Sequence, residues 1–89
     1  MEHKISELKN IKDDFYTCFT IYYEDGEEDI FHENSYETIS VGIENGKKCL
    51  HVGDYVMGLW NFYEDGTCDK WFHHHQTIRE KTVIGFDIY

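Results

Sequence analysis

Three Asx-Gly pairs punctuate this chain: Asp25-Gly26, Asn45-Gly46 and Asp65-Gly66, each set between runs in which apolar and polar residues alternate. Alternation with a period of two marks a half-buried strand. Asn-Gly or Asp-Gly in a two-residue type I′ turn folds one strand back on the next, because both central positions need positive φ. Pairing outward from each turn predicts three registers. Around Asp25-Gly26, Ile21 meets Ile30, Phe19 meets His32 and Glu24 faces Glu27. Around Asn45-Gly46, Val41 meets Leu50 and Ile39 meets Val52. Around Asp65-Gly66, Trp60 meets Trp71 and Phe62 meets Asp69. Apolar residues meet apolar residues in each hairpin.

The last run, 81–89, alternates as well, with Thr82, Ile84, Phe86 and Ile88 on one face. Seven strands are expected, at about 15–24, 27–33, 37–44, 47–53, 55–64, 67–75 and 81–89. Ahead of them, Ile5, Leu8 and Ile11 recur between Lys4, Lys9 and Lys12. That pattern predicts a short amphipathic helix within 1–12. The expected fold is mainly β (α+β): a short N-terminal helix, then an antiparallel β-meander over 14–89 that forms a twisted sheet or a small barrel. Eighty-nine residues suffice for one domain, 1–89, and exclude a two-domain enzyme or a solenoid. Proline is absent, so exposed sheet edges must be guarded by charge.

An internal echo accompanies the turns. Tyr22-Tyr23-Glu24-Asp25-Gly26 recurs as Phe62-Tyr63-Glu64-Asp65-Gly66, and Asp29 is matched by Asp69. Duplication of a hairpin-plus-strand unit and convergent turn chemistry both account for it.

Charge is the strongest functional signal. Asp+Glu number 18 against 8 Lys+Arg, for a net charge of −10. This argues against nucleic acid or an anionic membrane as a direct partner. Residues 13–46 hold ten carboxylates (Asp13, Asp14, Glu24, Asp25, Glu27, Glu28, Asp29, Glu33, Glu37 and Glu44) and no Lys or Arg. In the predicted register the Glu24–Glu27 pair is an unrelieved like-charge contact, which suggests a functional surface. The alternative is a solvated face that aids solubility. In charge and size the chain is similar to small phage-encoded inhibitors that mimic DNA.

The expected function is therefore that of a small, acidic, non-catalytic protein that inhibits a partner with a basic, nucleic-acid-binding surface. Phage anti-CRISPR and anti-restriction inhibitors are examples. Alternatives are an immunity protein that neutralises a toxin nuclease, and an oligomeric small-molecule binder. The expected partner-binding residues are Glu24, Asp25, Glu27, Glu28, Asp29 and Glu33, with Tyr22, Tyr23 and Phe31 as desolvated anchors. The third hairpin is apolar on both faces, with Trp60, Phe62, Val56 and Trp71 on one and Leu59, Met57, Tyr63 and Phe72 on the other. A homodimer through it is a further expectation.

Catalytic and cofactor signals are weak. Ser6, Ser35 and Ser40 lack a nucleophile context, and no Gly-rich phosphate loop occurs. His51 followed by Asp54 could form an oriented pair, but no nucleophile accompanies it. His73-His74-His75 is a possible metal cluster, since His73 and His75 would share a strand face, but the ligand spacing of a zinc site is missing. No enzyme, cofactor or metal is expected. Cys18, Cys49 and Cys68 are odd in number and without C-x-x-C spacing, which fits a reducing compartment. Met1-Glu2-His3-Lys4 lacks an apolar signal core, and no apolar run is long enough to span a membrane. The expected location is cytoplasmic.

Overall fold

The computed structural model describes residues 2–54, 58–72, 75–78 and 81–89, with side chains described over 2–54, 58–70 and 81–89. Ten strands occur among them: β1 (His3–Lys4), β2 (Phe15–Tyr16), β3 (Cys18–Tyr23), β4 (Glu28–His32), β5 (Glu37–Glu44), β6 (Lys47–Asp54), β7 (Gly58–Tyr63), β8 (Cys68–Phe72), β9 (His75–Ile78) and β10 (Val83–Ile88). They form two antiparallel sheets, a short one ordered β1-β10-β3-β4 and a long one ordered β2-β5-β6-β7-β8-β9. The meander holds for β5 to β9. It fails at β10, which leaves the long sheet and inserts between β1 and β3. Each sheet keeps two edge strands, so the arrangement among the described residues is neither one twisted sheet nor a closed barrel.

The expected amphipathic helix does not form as such; in its place a 3₁₀ segment spans Ile5–Asn10 after β1. Ile5, Leu8 and Ile11 are spaced by three, which is the 3₁₀ repeat, so they stack on one side. Leu8 is fully buried, while Ile5 and Ile11 pack on the core from its margin. The side chain of Glu7 accepts the Lys4 N–H at 3.1 Å and closes the helix start.

The Asn45-Gly46 hairpin has the predicted register: Val41 pairs with Leu50, Ile39 with Val52 and Glu44 with Lys47. Both turn residues have positive φ, 53° and 76°, as a type I′ turn requires. The two Asp-Gly hairpins are each shifted by one residue from expectation. Phe19 pairs with Phe31 and Ile21 with Asp29; Trp60 pairs with Lys70, and Leu59 rather than Trp60 pairs with Trp71. In both, only the glycine has positive φ, 88° at Gly26 and at Gly66. The Gly26 N–H donates to the Tyr23 carbonyl at 3.0 Å and the Tyr23 N–H to the Glu27 carbonyl at 2.9 Å. This is a type I turn closed by a glycine bulge, with three residues in the loop. Aspartate favours it because Asp25 Oδ1 accepts the Glu27 N–H at 3.0 Å, and Asp65 Oδ1 accepts the Thr67 N–H at 3.0 Å.

Two further strand expectations are corrected. The run at 67–75 is broken into β8 and β9, which pair antiparallel with Phe72 opposite His75. In β10 the register slips between Val83 and Gly85, so a bulge at Ile84 breaks the alternation. Val83 and Phe86 are buried and Ile84 is 47% exposed. Tyr55, Val56, Met57, His73 and His74 lie outside the described residues, as do the side chains of Trp71, Phe72 and His75.

The core lies between the sheets. Phe19, Ile21, Tyr23, Val83 and Phe86 from the short sheet meet Ile39, Val41, Leu50, Val52, Phe62 and Cys68 from the long one, with Leu8 beside them. Each fully buried Leu, Val, Ile or Phe contributes about 1.5–3 kcal/mol relative to exposure. No helix among the described residues is long and apolar enough to cross a membrane.

Candidate functional site

The β3–β4 hairpin carries most of the residues expected to meet a partner, and the one-residue shift sorts them into two groups. Residues facing inward are structural. Tyr23 was expected as a surface anchor, yet its ring is in the core at 2% exposure and its hydroxyl donates to Asp29 Oδ2 at 2.6 Å. Phe31 is half-buried, its ring tilted against those of Phe19 and Trp60 at centroid distances of 5.0 and 5.6 Å. Tyr22 lies on the other face of β3 and donates to Asp87 Oδ2 at 2.6 Å, a bond that pushes its own hydroxyl up to about 12.

The outward residues remain available. Glu24, Glu28 and Glu33 are exposed and make no ion pair with a described residue. The expected Glu24–Glu27 repulsion is absent, because the three-residue loop places Tyr23, and not Glu24, opposite Glu27. Glu27 instead pairs with Lys81, which also reaches Asp25 at 3.4 Å. The Glu27 N–H, helped by Lys81, holds the Asp25 carboxyl below its usual range. Lysines from outside the acidic segment neutralise other members too: Lys48 pairs with Asp13, and Lys12 with Asp14 at 3.7 Å.

β4 is an edge strand. The bonds from the Tyr23 N–H to the Glu27 carbonyl and from the Glu33 N–H to the Thr17 carbonyl fix the alternation. Glu27, Asp29, Phe31 and Glu33 turn their backbone groups to β3, and Glu28, Ile30 and His32 turn theirs away. Asn34 Nδ2 donates to the His32 carbonyl at 3.3 Å. The edge therefore offers the amides and carbonyls of Glu28 and Ile30, with the Ile30 side chain 56% exposed. Beside it a groove of about 310 Å³ separates β4 from the long sheet, lined by Phe31, Trp60, Glu37 and Asp54 among others. Glu37 and Asp54 are directly opposite on β5 and β6. Burial, reinforced by the Asp54 charge, raises the Glu37 carboxyl.

A second arrangement escaped the sequence reading. On the face of the long sheet turned away from the core, cross-strand pairing aligns Ser40, His51, Asn61 and Asp69 in one row over β5 to β8. Asn61 and Asp69 are buried polar residues. Asn61 Nδ2 donates to Asp69 Oδ1 at 3.1 Å, and His51 Nδ1 lies 2.6 Å from Asn61 Oδ1. His51 is thus oriented by Asn61, not by Asp54. Tyr63 donates to Asp69 Oδ2 at 2.9 Å. Burial, and then this bond, push the Tyr63 hydroxyl up to about 12. Cys49 donates to Asn61 Oδ1 at 3.4 Å, and burial pushes its thiol up to about 12, which favours the protonated form. The missed signal was register: β6 and β7 have no Asx-Gly turn between them, so nothing local pairs His51 with Asn61.

No group of three or more His, Cys, Asp or Glu side chains among the described residues converges as a metal site. No known family matches the chain, and no curated protein or solved structure matches it.

Proposed function

We propose that this protein is a small acidic binding protein that acts by occupying a basic, nucleic-acid-binding surface of a partner in the cytoplasm, and that it inhibits without catalysis. The observation that carries the reading is the open edge of β4 flanked by Glu24, Glu28 and Glu33, three exposed carboxylates that no described cation neutralises. An unpaired edge can take an extended segment of a partner as an added strand. The carboxylates select a Lys- or Arg-rich segment and repel a second copy of the same edge. Phage counter-defence and toxin immunity would both need an acidic surface facing a basic cleft, and the identity of the protein that co-purifies from the native cell separates them.

The test replaces Glu24, Glu28 and Glu33 together by Lys. Glu27 and Asp29 are spared because they hold Lys81 and Tyr23. The variant should keep its melting temperature. Its association rate with the co-purified partner should fall by about 10-fold or more at low salt. Unchanged association at both low and high salt would overturn the reading.

A further inference from the structure

The two sheets are unequal. The long one has six described strands and the short one four, and the short one ends at β4. The groove of about 310 Å³ runs between the free edge of β4 and the inner face of the long sheet. Its floor is apolar. Val52 is buried, and Phe31 and Trp60 pack on the core from its margin with ring centroids 5.6 Å apart. Ile30, more than half exposed, stands at the mouth.

The edge fixes where the side chains of an added strand would go. Phe31 turns its backbone groups to β3 and its ring inward, while Glu28 and Ile30 offer their amides and carbonyls at the free edge. Neighbouring residues on paired strands share a face of the sheet, and successive residues alternate. A strand bonded to Glu28 and Ile30 therefore sends the residue beside Phe31 inward, into the groove. The residue three positions away lies beside Glu28 and points outward, where Glu28 is exposed.

Neither sign of charge suits the groove. Lys70 Nζ stands 4.4 Å over the Trp60 ring, so an entering cation meets a like charge beside the ring it would seek. Glu37 lines the same groove, and burial with the Asp54 charge already disfavours its ionised form, so an entering anion fares no better. An apolar side chain covers Phe31, Val52 and Trp60 without desolvating a charge. We propose that the partner segment added to β4 is an amphipathic strand, with an apolar side chain beside Phe31 that fills the groove and a Lys or Arg three positions away beside Glu28. This rests on the reading of β4 as an open acidic edge and supplies its anchor: charge brings the segment in, and the groove holds it.

The probe is the end-blocked peptide Lys-Thr-Thr-Leu-Thr-Thr-Lys, which offers Leu to the groove and Lys to Glu28 whichever way it runs. Companion peptides carry Ala, Lys or Glu in place of Leu. Each is titrated into the full chain and followed by NMR at the amides of Glu28 and Ile30 and at the Trp60 indole. Saturable shifts at these positions are expected, with the Leu peptide bound about 10-fold tighter or more than each companion. Replacing Glu24, Glu28 and Glu33 together by Lys should weaken every peptide and keep the preference for Leu. Equal binding of the Leu and Ala peptides overturns the proposal, as does tightest binding of the Lys or Glu peptide; shifts at Glu28 and Ile30 in either case leave the open edge standing. Absence of a saturable shift with every peptide also overturns it. A preference for Leu with no weakening in the triple-Lys protein upholds the groove and overturns the acidic selection instead.

Discussion

The Tyr23 hydroxyl donates to Asp29 across its own hairpin at 2.6 Å, and Tyr63 repeats that bond with Asp69 at 2.9 Å. The likeness extends outward. Lys81 stands 5.1 Å over the Tyr23 ring and pairs with Asp25 at 3.4 Å; Lys47 stands 5.0 Å over Tyr63 and pairs with Asp65 at 2.8 Å. The Glu24 N–H donates to Thr82 and the Glu64 N–H to Lys48. The repeated sequence Tyr-Glu-Asp-Gly-x-x-Asp is therefore a complete hairpin lock. The lysine comes from a segment after the first hairpin (Lys81, just ahead of β10) but from the strand before the second (Lys47, in β6), so the shared unit is the hairpin and not the hairpin with its third strand.

Removing one hydroxyl tests the lock. Tyr63 and Asp69 are both buried, so Tyr63→Phe should lower the unfolding free energy by about 1.5–3 kcal/mol, the range for a hydrogen bond to a charged group. Urea denaturation measures it. An unchanged midpoint would show that the bond adds nothing.

The pH profile should have two limbs of opposite origin. The Tyr63 hydroxyl is raised from 10.0 to about 12. The folded state holds that proton more tightly, so its contribution is complete below pH 10 and is lost as pH rises through about 12. The Asp65 carboxyl is lowered from 3.8 to about 2, first by Lys47 and then by Thr67. Its contribution is present above 3.8 and is lost as pH falls through about 2. Melting temperature against pH should show part of the alkaline loss removed in Tyr63→Phe but not in Asp65→Asn, and part of the acid loss removed in Asp65→Asn but not in Tyr63→Phe.

Two glycines with the same φ should respond differently to alanine. Gly26 and Gly66 both have φ of 88°, which costs a non-glycine residue about 1–2 kcal/mol. A Cβ on Gly26 meets nothing within 4 Å, whereas one on Gly66 would lie 2.8 Å from the Val83 carbonyl oxygen. Gly66→Ala should therefore destabilise clearly more than Gly26→Ala in thermal melts. Equal losses would mean that β10 does not rest on this turn.

At the N-terminal 3₁₀ helix, Leu8 is fully buried. Leu8→Ala should cost about 2–5 kcal/mol. Loss of this order in calorimetry, against little change for exposed Lys9→Ala, would establish that the segment is part of the core.

Legibility in the sequence followed the range of the interactions. Asn45-Gly46 fixed its hairpin because both residues accept positive φ, and Val41 with Leu50 could be paired from the chain alone. Asp25 and Asp65 look like the same signal, but their carboxylates capture the N–H two residues on and turn a two-residue loop into three. That one-residue difference turned Phe31 onto the face of Phe19, at the margin of the core, and removed the Glu24–Glu27 repulsion. The acidic character of the hairpin was visible; the lysines that temper it, Lys81 and Lys48, were not, because they arrive from distant strands. His51, Asn61 and Asp69 stayed unconnected for the same reason, since they meet only through the registers of three successive strand pairs. The departure of β10 from the meander has no local cue at all, and the bulge at Ile84 hid which residues of that strand face inward.

The position of β10 between β1 and β3 has a consequence for biosynthesis. A ribosome delivers β1, β3 and β4 well before it delivers the strand that must lie between the first two. Val83 and Phe86, both fully enclosed in the finished core, emerge some sixty residues after β3. Until they do, one whole side of β3 has no backbone partner and the hydrophobic space over Ile21 stays unfilled. The short sheet therefore cannot mature until β10 has been made. Its completion waits for a long-range insertion, a slow class of event, and during that wait β3 is the stretch most open to pairing with another nascent chain.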